Sequence, residues 1–144
     1  MHKCFLIALS GLLSAGVQAQ KIKTSGAALS AGEKVYMQRC VTCHQADGSG
    51  AQNMVPPLIK TEYVLGNKTS IINLLLNGMN GEIKVNGDTY AGEMPSQAFL
   101  KDAEIAAVLT YVRSNFGNRA SAVTAAEVRK VRASQKSSVS AAGN

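Results

Sequence analysis

Residues 40–44 of the 144-residue chain read Cys-Val-Thr-Cys-His, and this stretch holds most of its cysteine and histidine. The others, His2 and Cys4, lie at the very start of the chain. A disulfide between Cys40 and Cys43 would close a loop with two intervening residues and stabilise little, because the entropy gained grows with loop size. The pair therefore needs another explanation.

Two thiols three positions apart, followed at once by an imidazole, match the attachment signal of a c-type haem. Cys40 and Cys43 would form thioethers with the two vinyl groups of one porphyrin, and His44 would then lie beneath the iron. A redox Cys-x-x-Cys motif normally opens a helix in a βαβ setting, whereas this one ends a predicted helix. A structural zinc site needs four ligands, and the chain beyond Cys4 has three Cys or His in all. The pattern favours one covalently attached haem c.

The first 19 residues have the features of a secretory signal peptide. A short basic start precedes an apolar run of 13 residues, from Phe5 to Val17, and the small residues Val17 and Ala19 suit cleavage after Ala19. At 1.5 Å per residue the run is too short to span about 30 Å of hydrocarbon. We therefore expect an exported, periplasmic protein with no transmembrane segment in its mature chain.

The formal net charge of +6 is concentrated in the tail. From Gly117 onwards there are five basic residues and one acidic residue, whereas residues 24–116 hold seven basic and eight acidic residues. The body of the protein is therefore close to neutral and has no basic patch with interleaved aromatic residues. This distribution argues against nucleic-acid binding and against strong electrostatic steering of a partner.

Local signals predict three main helices. Ser30 and Glu33 form a capping box, so a first helix should run from about Ala31 towards Cys40. A second helix runs from about Ser70 to Asn77 and ends at Gly78. The third lies between the acidic Asp102 and Gly117, and its apolar stripe repeats at i, i+3, i+4, i+7 through Ile105, Val108, Leu109 and Val112.

The remaining segments predict loops, one hairpin and a tail. Residues 83–90 alternate apolar and polar side chains around Asn86-Gly87, the strongest short-range signal of a hairpin. Residues 47–57 contain Gly, Asn and Pro and should form a loop. Beyond Gly117, Thr124 and Glu127 predict one short helix, and the final dozen residues, rich in Ser and Ala, are expected to be disordered.

These motifs occur in an order that resembles the class I cytochromes c, over about residues 30–118. The resemblance implies an all-α fold, the class I cytochrome c fold, with about three main helices around one haem and a small β-hairpin flap before the loop of the axial Met. The predicted organisation is a signal peptide (1–19), an N-terminal extension (20–29), the haem domain (30–118) and a basic, partly disordered C-terminal extension (119–144).

The sixth iron ligand cannot be a second histidine, because the mature chain contains His44 alone. Met37 lies in the helix that leads into the haem motif, and Met54 lies on the loop that should support the His side. Met79 follows a helix end and is a competitor. Met94 is followed by proline just before the last helix, which matches the Met-Pro ligand motif of the family, so we predict iron ligation by His44 and Met94.

The resemblance also implies roles for a Pro-x-Leu loop. In the family, a proline carbonyl of such a loop accepts a hydrogen bond from the axial His, so Pro56 is the candidate acceptor and Leu58 a haem-packing residue. The first and last helices of the family cross at a Gly-plus-aromatic face, here Gly32 and Tyr36 against Tyr111. Two residues are candidates for contacts to the haem propionates, and the sequence does not choose between them: Tyr63 and Tyr90.

The resemblance implies an electron carrier and not an enzyme, because both axial positions of the iron would be filled. The protein would be a diffusible periplasmic carrier or the cytochrome subunit or partner of a periplasmic dehydrogenase. The flap and the extension at residues 124–132 resemble cytochromes that accompany such enzymes. Expected partners are a dehydrogenase or a terminal oxidase. The alternative is a haem protein with an open sixth site that binds gases or acts on peroxide or nitrogen oxides, which the absence of an acid–base constellation disfavours.

Overall fold

The computed structural model describes residues 29–142, with side chains as far as residue 137. The predicted signal peptide and nearly all of the predicted N-terminal extension lie outside the described residues. Within them, the helices are α1 (Ala31–Arg39), α2 (Val41–His44), α3 (Glu62–Leu65), α4 (Lys68–Asn77), α5 (Asp102–Ser114) and α6 (Ala125–Ala142), and the strands are β1 (Ile83–Val85) and β2 (Asp88–Tyr90). The predicted mainly helical fold with one small hairpin is confirmed.

The ends of α1 and α4 follow their capping residues. Ser30 Oγ accepts a hydrogen bond from the Glu33 N–H at 3.1 Å, and the Glu33 carboxylate accepts one from the Ser30 N–H at 3.3 Å. α4 begins two residues earlier than predicted, because the Asn67 side chain caps it by accepting bonds from two backbone N–H groups. It ends at Gly78, whose φ of 72° is a left-handed value that favours glycine.

α1 crosses α5 at the predicted glycine. A Cβ at Gly32 would lie 2.1 Å from the carbonyl oxygen of Ala107, so any side chain would force the helices apart. The rings of Tyr36 and Tyr111 lie 5.5 Å apart at the same crossing, and the ring of Phe116 lies 5.2 Å from that of Tyr36. The predicted crossing is present, and Phe116 adds a third ring that the sequence did not indicate.

β1 and β2 form the predicted flap. Ile83 pairs with Tyr90, and Asn86 and Gly87 at the turn have φ values of 51° and 93°, as a type I′ turn requires. The Asn86 N–H donates to both carboxylate oxygens of Glu62 at 3.1 Å, which ties the flap to α3.

α6 corrects two predictions about the tail. It is a helix of 18 residues, not a short one, and it includes residues 133–142, for which we expected disorder. Val128 and Val131 are buried in the same hydrophobic cluster as α4 and α5, and packing of this kind stabilises a helix more than propensity does. Within residues 29–142, none of the helices combines the length and the apolar character that spanning a bilayer requires.

Candidate haem site

A large apolar cleft lies between α1, α2, α4, α5 and the flap. Its volume is about 1220 Å³, including the part that is open to solvent, and its charged lining residues besides histidine are Arg39 and Glu93. Its lining includes each of the predicted site residues: Cys40, Cys43, His44, Pro56, Leu58 and Met94.

One part of the lining is the turn that carries the two cysteines. α1 ends at Arg39, and the single turn of α2 follows, with the His44 N–H donating to the Cys40 carbonyl at 2.9 Å. Both cysteines are free thiols, Cys40 half-buried and Cys43 exposed. Burial, and secondarily the neighbouring Cys43, raises the pKa of Cys40 to about 11. The structure therefore contains two unpaired thiols at the edge of the cleft.

The imidazole of His44 is held by a hydrogen bond to the backbone. Its Nδ1 lies 3.2 Å from the carbonyl oxygen of Pro56. A carbonyl oxygen can only accept, so Nδ1 carries the proton and Nε2 keeps the lone pair that a metal needs. Burial lowers the pKa of His44, which the hydrogen bond to Pro56 partly opposes. The lowered pKa favours the neutral ring, and the hydrogen bond to Pro56 orients it as a metal ligand should be.

The loop that presents Pro56 is built on two close backbone approaches. The Leu58 N–H donates to the Gly48 carbonyl at 2.7 Å, and the Gly50 N–H donates to the His44 carbonyl at 3.1 Å. At Gly50, φ is 71° and a Cβ would lie 2.3 Å from the Val55 carbonyl oxygen. Leu58 lies on the cleft and packs against the core, and its contact with a haem stays a prediction.

A separate part of the lining carries Met94, on a loop bonded to the end of α4. The N–H groups of Met79 and Met94 each donate to the other's carbonyl at 2.8 Å, and the Gln97 N–H donates to the Leu75 carbonyl at 2.8 Å. The backbones approach so closely that a Cβ at Gly78 would lie 2.4 Å from the Met94 carbonyl oxygen. Directly opposed residues of an antiparallel pair project from the same face, and both methionines line the cleft.

The structure sorts the four candidate methionines. Met37 is 46% exposed and is not among the cleft residues, and Met54 is on the rim with 64% of its surface exposed. Met79 and Met94 are both half-buried in the cleft. Met79 therefore remains the alternative to Met94 as the sixth iron ligand, as the sequence indicated.

Two backbone hydrogen bonds that the sequence did not reveal join the two sides of the cleft. The Ala91 N–H donates to the Asn53 carbonyl at 3.0 Å, and the Gly92 N–H donates to the Met54 carbonyl at 2.9 Å. A Cβ at Gly92 would lie 2.1 Å from that Met54 oxygen. The loop that leads to Pro56 is thus bonded directly to the loop that leads to Met94. Gly92 was the available signal, since an isolated glycine often marks close backbone approach.

The donor set fits a covalently attached haem. Two free thiols and an oriented imidazole lie on one segment. The thioether side chains of Met79 and Met94 lie on another, and the space between the two segments is apolar. In the part of the chain that the structure describes, no group of three or more His, Cys, Asp or Glu side chains could hold a metal ion.

The family model described as Cytochrome c matches residues 29–116. The chain belongs to the cytochrome c family. This cytochrome is 40% identical over 111 residues to cytochrome c-552 of Thermus thermophilus, a match that covers 71% of this chain and 84% of that protein.

The cytochrome also resembles subunits of larger enzymes. It is 36% identical over 105 residues to the cytochrome c subunit of a quinone alcohol dehydrogenase from Gluconacetobacter polyoxogenes, covering 70% of this chain and 22% of that subunit. It is 34% identical over 106 residues to the gluconate 2-dehydrogenase cytochrome c subunit of Pantoea cypripedii, covering 70% of this chain and 24% of that subunit. The chain thus spans about a quarter of these subunits.

Membership of the family confirms three predictions. Cytochromes c bind haem c covalently and transfer electrons, so haem c is the cofactor and electron transfer is the activity. The protein is an electron carrier and not itself a catalyst. The mainly helical fold with a small antiparallel sheet is that of the family.

Proposed function

We propose that this cytochrome transfers electrons in the periplasm through one haem c that is attached to Cys40 and Cys43 and ligated by His44 and Met94. One observation carries the proposal: a single apolar cleft is lined by all four residues, with His44 oriented by Pro56. The haem, when bound, supplies a one-electron iron couple. The chain's own residues orient the ligands and keep water away from them.

The proposed sixth ligand and the apolar surroundings favour the reduced state. The Pro56 carbonyl fixes the tautomer of His44. The thioether of Met94 is soft and favours ferrous over ferric iron, and the apolar lining disfavours the extra positive charge of the ferric state. With His44 and Met94 both bound, the iron has no position for a substrate.

The proposed electron donor is a dehydrogenase of the periplasm, and a terminal oxidase is a proposed acceptor. Relatives named as cytochrome subunits of dehydrogenases support the donor, and the signal-like residues 1–19 support the compartment. The cleft is partly open to solvent, so an edge of the bound haem would lie at the surface, where a partner can approach. The near-neutral body suits a small, mainly apolar contact with that partner.

The proposal is tested by the visible spectrum of the mature ferric protein and by adding carbon monoxide to the ferrous protein. Wild type should show the weak long-wavelength band of a Met–iron bond and should not bind the gas. Met94→Ala should lose the band and bind the gas, because its sixth site is open. Met79→Ala, the matched control, should behave like wild type.

Two outcomes contradict the proposal in different ways. If Met79→Ala loses the band and Met94→Ala keeps it, electron transfer stands and the sixth ligand is Met79. If wild type itself lacks the band and binds the gas readily, the sixth site is open, and the protein is a ligand-binding or catalytic haem protein.

A further inference from the structure

α6 lies beyond the residues that match the family model, and it forms hydrogen bonds to the loop that carries Met94. Arg132 on this helix donates three hydrogen bonds to the segment that follows the ligand: from Nη1 to the Ala98 carbonyl, from Nη2 to the Leu100 carbonyl and from Nε to Asp102 Oδ1, each at 2.9 Å. The two carbonyls lie four and six positions after Met94. The guanidinium therefore fastens the loop just before it enters α5.

α6 also holds the second support of that loop, which is α4. Gln135 Nε2 donates to Asn73 Oδ1 at 2.8 Å, and Lys68 Nζ donates to a Glu127 oxygen at 3.0 Å. Val128 is fully buried in the shared core. Because the end of α4 is bonded to the Met94 loop, α6 contacts both elements on which the position of that loop depends.

The segment between Met94 and α5 has no regular secondary structure, and its Phe99 is 63% exposed. Arg132 holds this segment with a charged, rigid fork, and charge-assisted bonds of this kind are roughly twice as strong as neutral ones. The side chain of Arg132 is 25% exposed, so water competes only partly for these bonds. Loss of Arg132 would leave the two carbonyls to solvent and free the loop to move.

We propose that Arg132 is a positioning residue for the sixth ligand: it holds the loop so that Met94 stays on the iron and does not exchange with other ligands. The inference rests on the proposed role of Met94. Arg132 is not among the residues that line the cleft, and it acts through the loop, including the backbone carbonyl of the cleft residue Leu100. A residue outside the family match would thereby set how firmly the sixth site is closed.

The test is a titration of the ferric holoprotein with imidazole, followed by loss of the Met–iron band. Arg132→Met keeps the length of the side chain and removes its donors. It should bind imidazole about ten-fold more tightly than wild type, because hydrogen bonds that involve a charged group typically account for a factor of ten or more. Reduction potentials and guanidinium unfolding curves are measured on the same samples.

Two control variants separate positioning from general stability. Arg129 lies on the same helix with its Nε 3.7 Å from Asp102 Oδ2, but it is 73% exposed and has no hydrogen bond to the loop among the described residues. Arg129→Met should bind imidazole within about two-fold of wild type, as expected for an exposed ion pair. Val128→Ala removes buried contacts of α6 but none of its hydrogen bonds to the loop. It should lower the free energy of unfolding and leave the imidazole affinity close to that of wild type.

Each remaining outcome overturns the inference. Unchanged imidazole affinity in Arg132→Met removes any positioning role. If Val128→Ala raises the imidazole affinity as much as Arg132→Met does, at the same loss of stability, Arg132 acts only through the stability of the fold. If Met94→Ala retains the Met–iron band in the same series, the proposed ligand is wrong, and the inference fails with it.

Discussion

At the residue scale, burial gives Arg113 a structural role that its position in the sequence does not indicate. In the sequence it is a basic residue near the end of α5, a position that the helix dipole favours. In the structure it is only 3% exposed, and its Nε donates to the Ser121 carbonyl at 2.8 Å. Its Nη1 donates to the carbonyls of Val64 and Gly66. Arg113 therefore ties α5 to the end of α3 and to the segment that leads into α6.

Replacing Arg113 by methionine should be strongly destabilising. The change removes three hydrogen bonds of a buried guanidinium, one of them to the buried carbonyl of Val64, so we expect the free energy of unfolding to fall by about 2–3 kcal/mol. Guanidinium unfolding of the holoprotein, followed by circular dichroism, measures the change. Arg119→Met, at an exposed position, is the control and should stay within about 0.5 kcal/mol of wild type. Equal midpoints for the two variants would contradict the structural role of Arg113.

At the scale of elements, the start of α6 is held by one carboxylate. Glu127 accepts bonds from the Thr124 N–H at 2.7 Å and Oγ1 at 3.0 Å, and from Lys68 Nζ on α4 at 3.0 Å. The Thr124 N–H is the largest cause that lowers the pKa of Glu127 from 4.5 to about 2, and the bond from Lys68 is the next. The same side chain thus caps α6 and fastens it to α4.

This lowered pKa predicts how stability depends on pH. A carboxyl whose pKa is depressed on folding contributes stability that is fully present above its unfolded value and is lost as pH falls through its folded value. Glu127→Gln should therefore be less stable than wild type at pH 6, and the difference should shrink between about pH 4.5 and pH 2. Thermal unfolding across this range measures it. Lys68→Met should remove a smaller part of the pH-dependent difference. A Glu127→Gln deficit that is the same at pH 6 and pH 2 would contradict the assignment.

At the scale of the whole molecule, the cofactor and the protein share one core. Among the residues that the structure describes, the buried hydrophobic cluster has 14 members, and half of them also line the cleft. These shared residues come from α1, α3, α4, α5 and the loop before α5: Tyr36, Val64, Ile71, Leu100, Val108, Leu109 and Val112. A haem in the cleft therefore packs against the same side chains that hold the helices together.

A chain without haem should consequently lose its fixed tertiary structure. The double variant Cys40→Ala/Cys43→Ala cannot form thioethers, and the inner faces of the shared core would meet water. We expect it to lose near-ultraviolet circular dichroism and cooperative unfolding. Met94→Ala, which keeps the attachment residues, should retain both. A double variant that unfolds cooperatively at the denaturant concentration of the holoprotein would show that the core does not need the haem.

Signals that lie close together in the chain were predicted correctly. The capping box at Ser30, the Asn86-Gly87 turn and the stripe on α5 each depend on residues within a few positions of one another. Local geometry alone determines them, so the sequence was enough for the helical class and the flap. The tail was mispredicted, because composition does not show which core the valines of α6 pack against.

The sequence by itself thus determined the class of cofactor, haem c, and the identity of the main helices. Only the tertiary structure decided that Arg113 is buried, that Met79 is paired with Met94, and that Arg132 bonds to the ligand loop. These contacts join residues between 8 and 49 positions apart. Their free energy comes from desolvation and hydrogen bonding between distant segments, and no local propensity encodes such contacts.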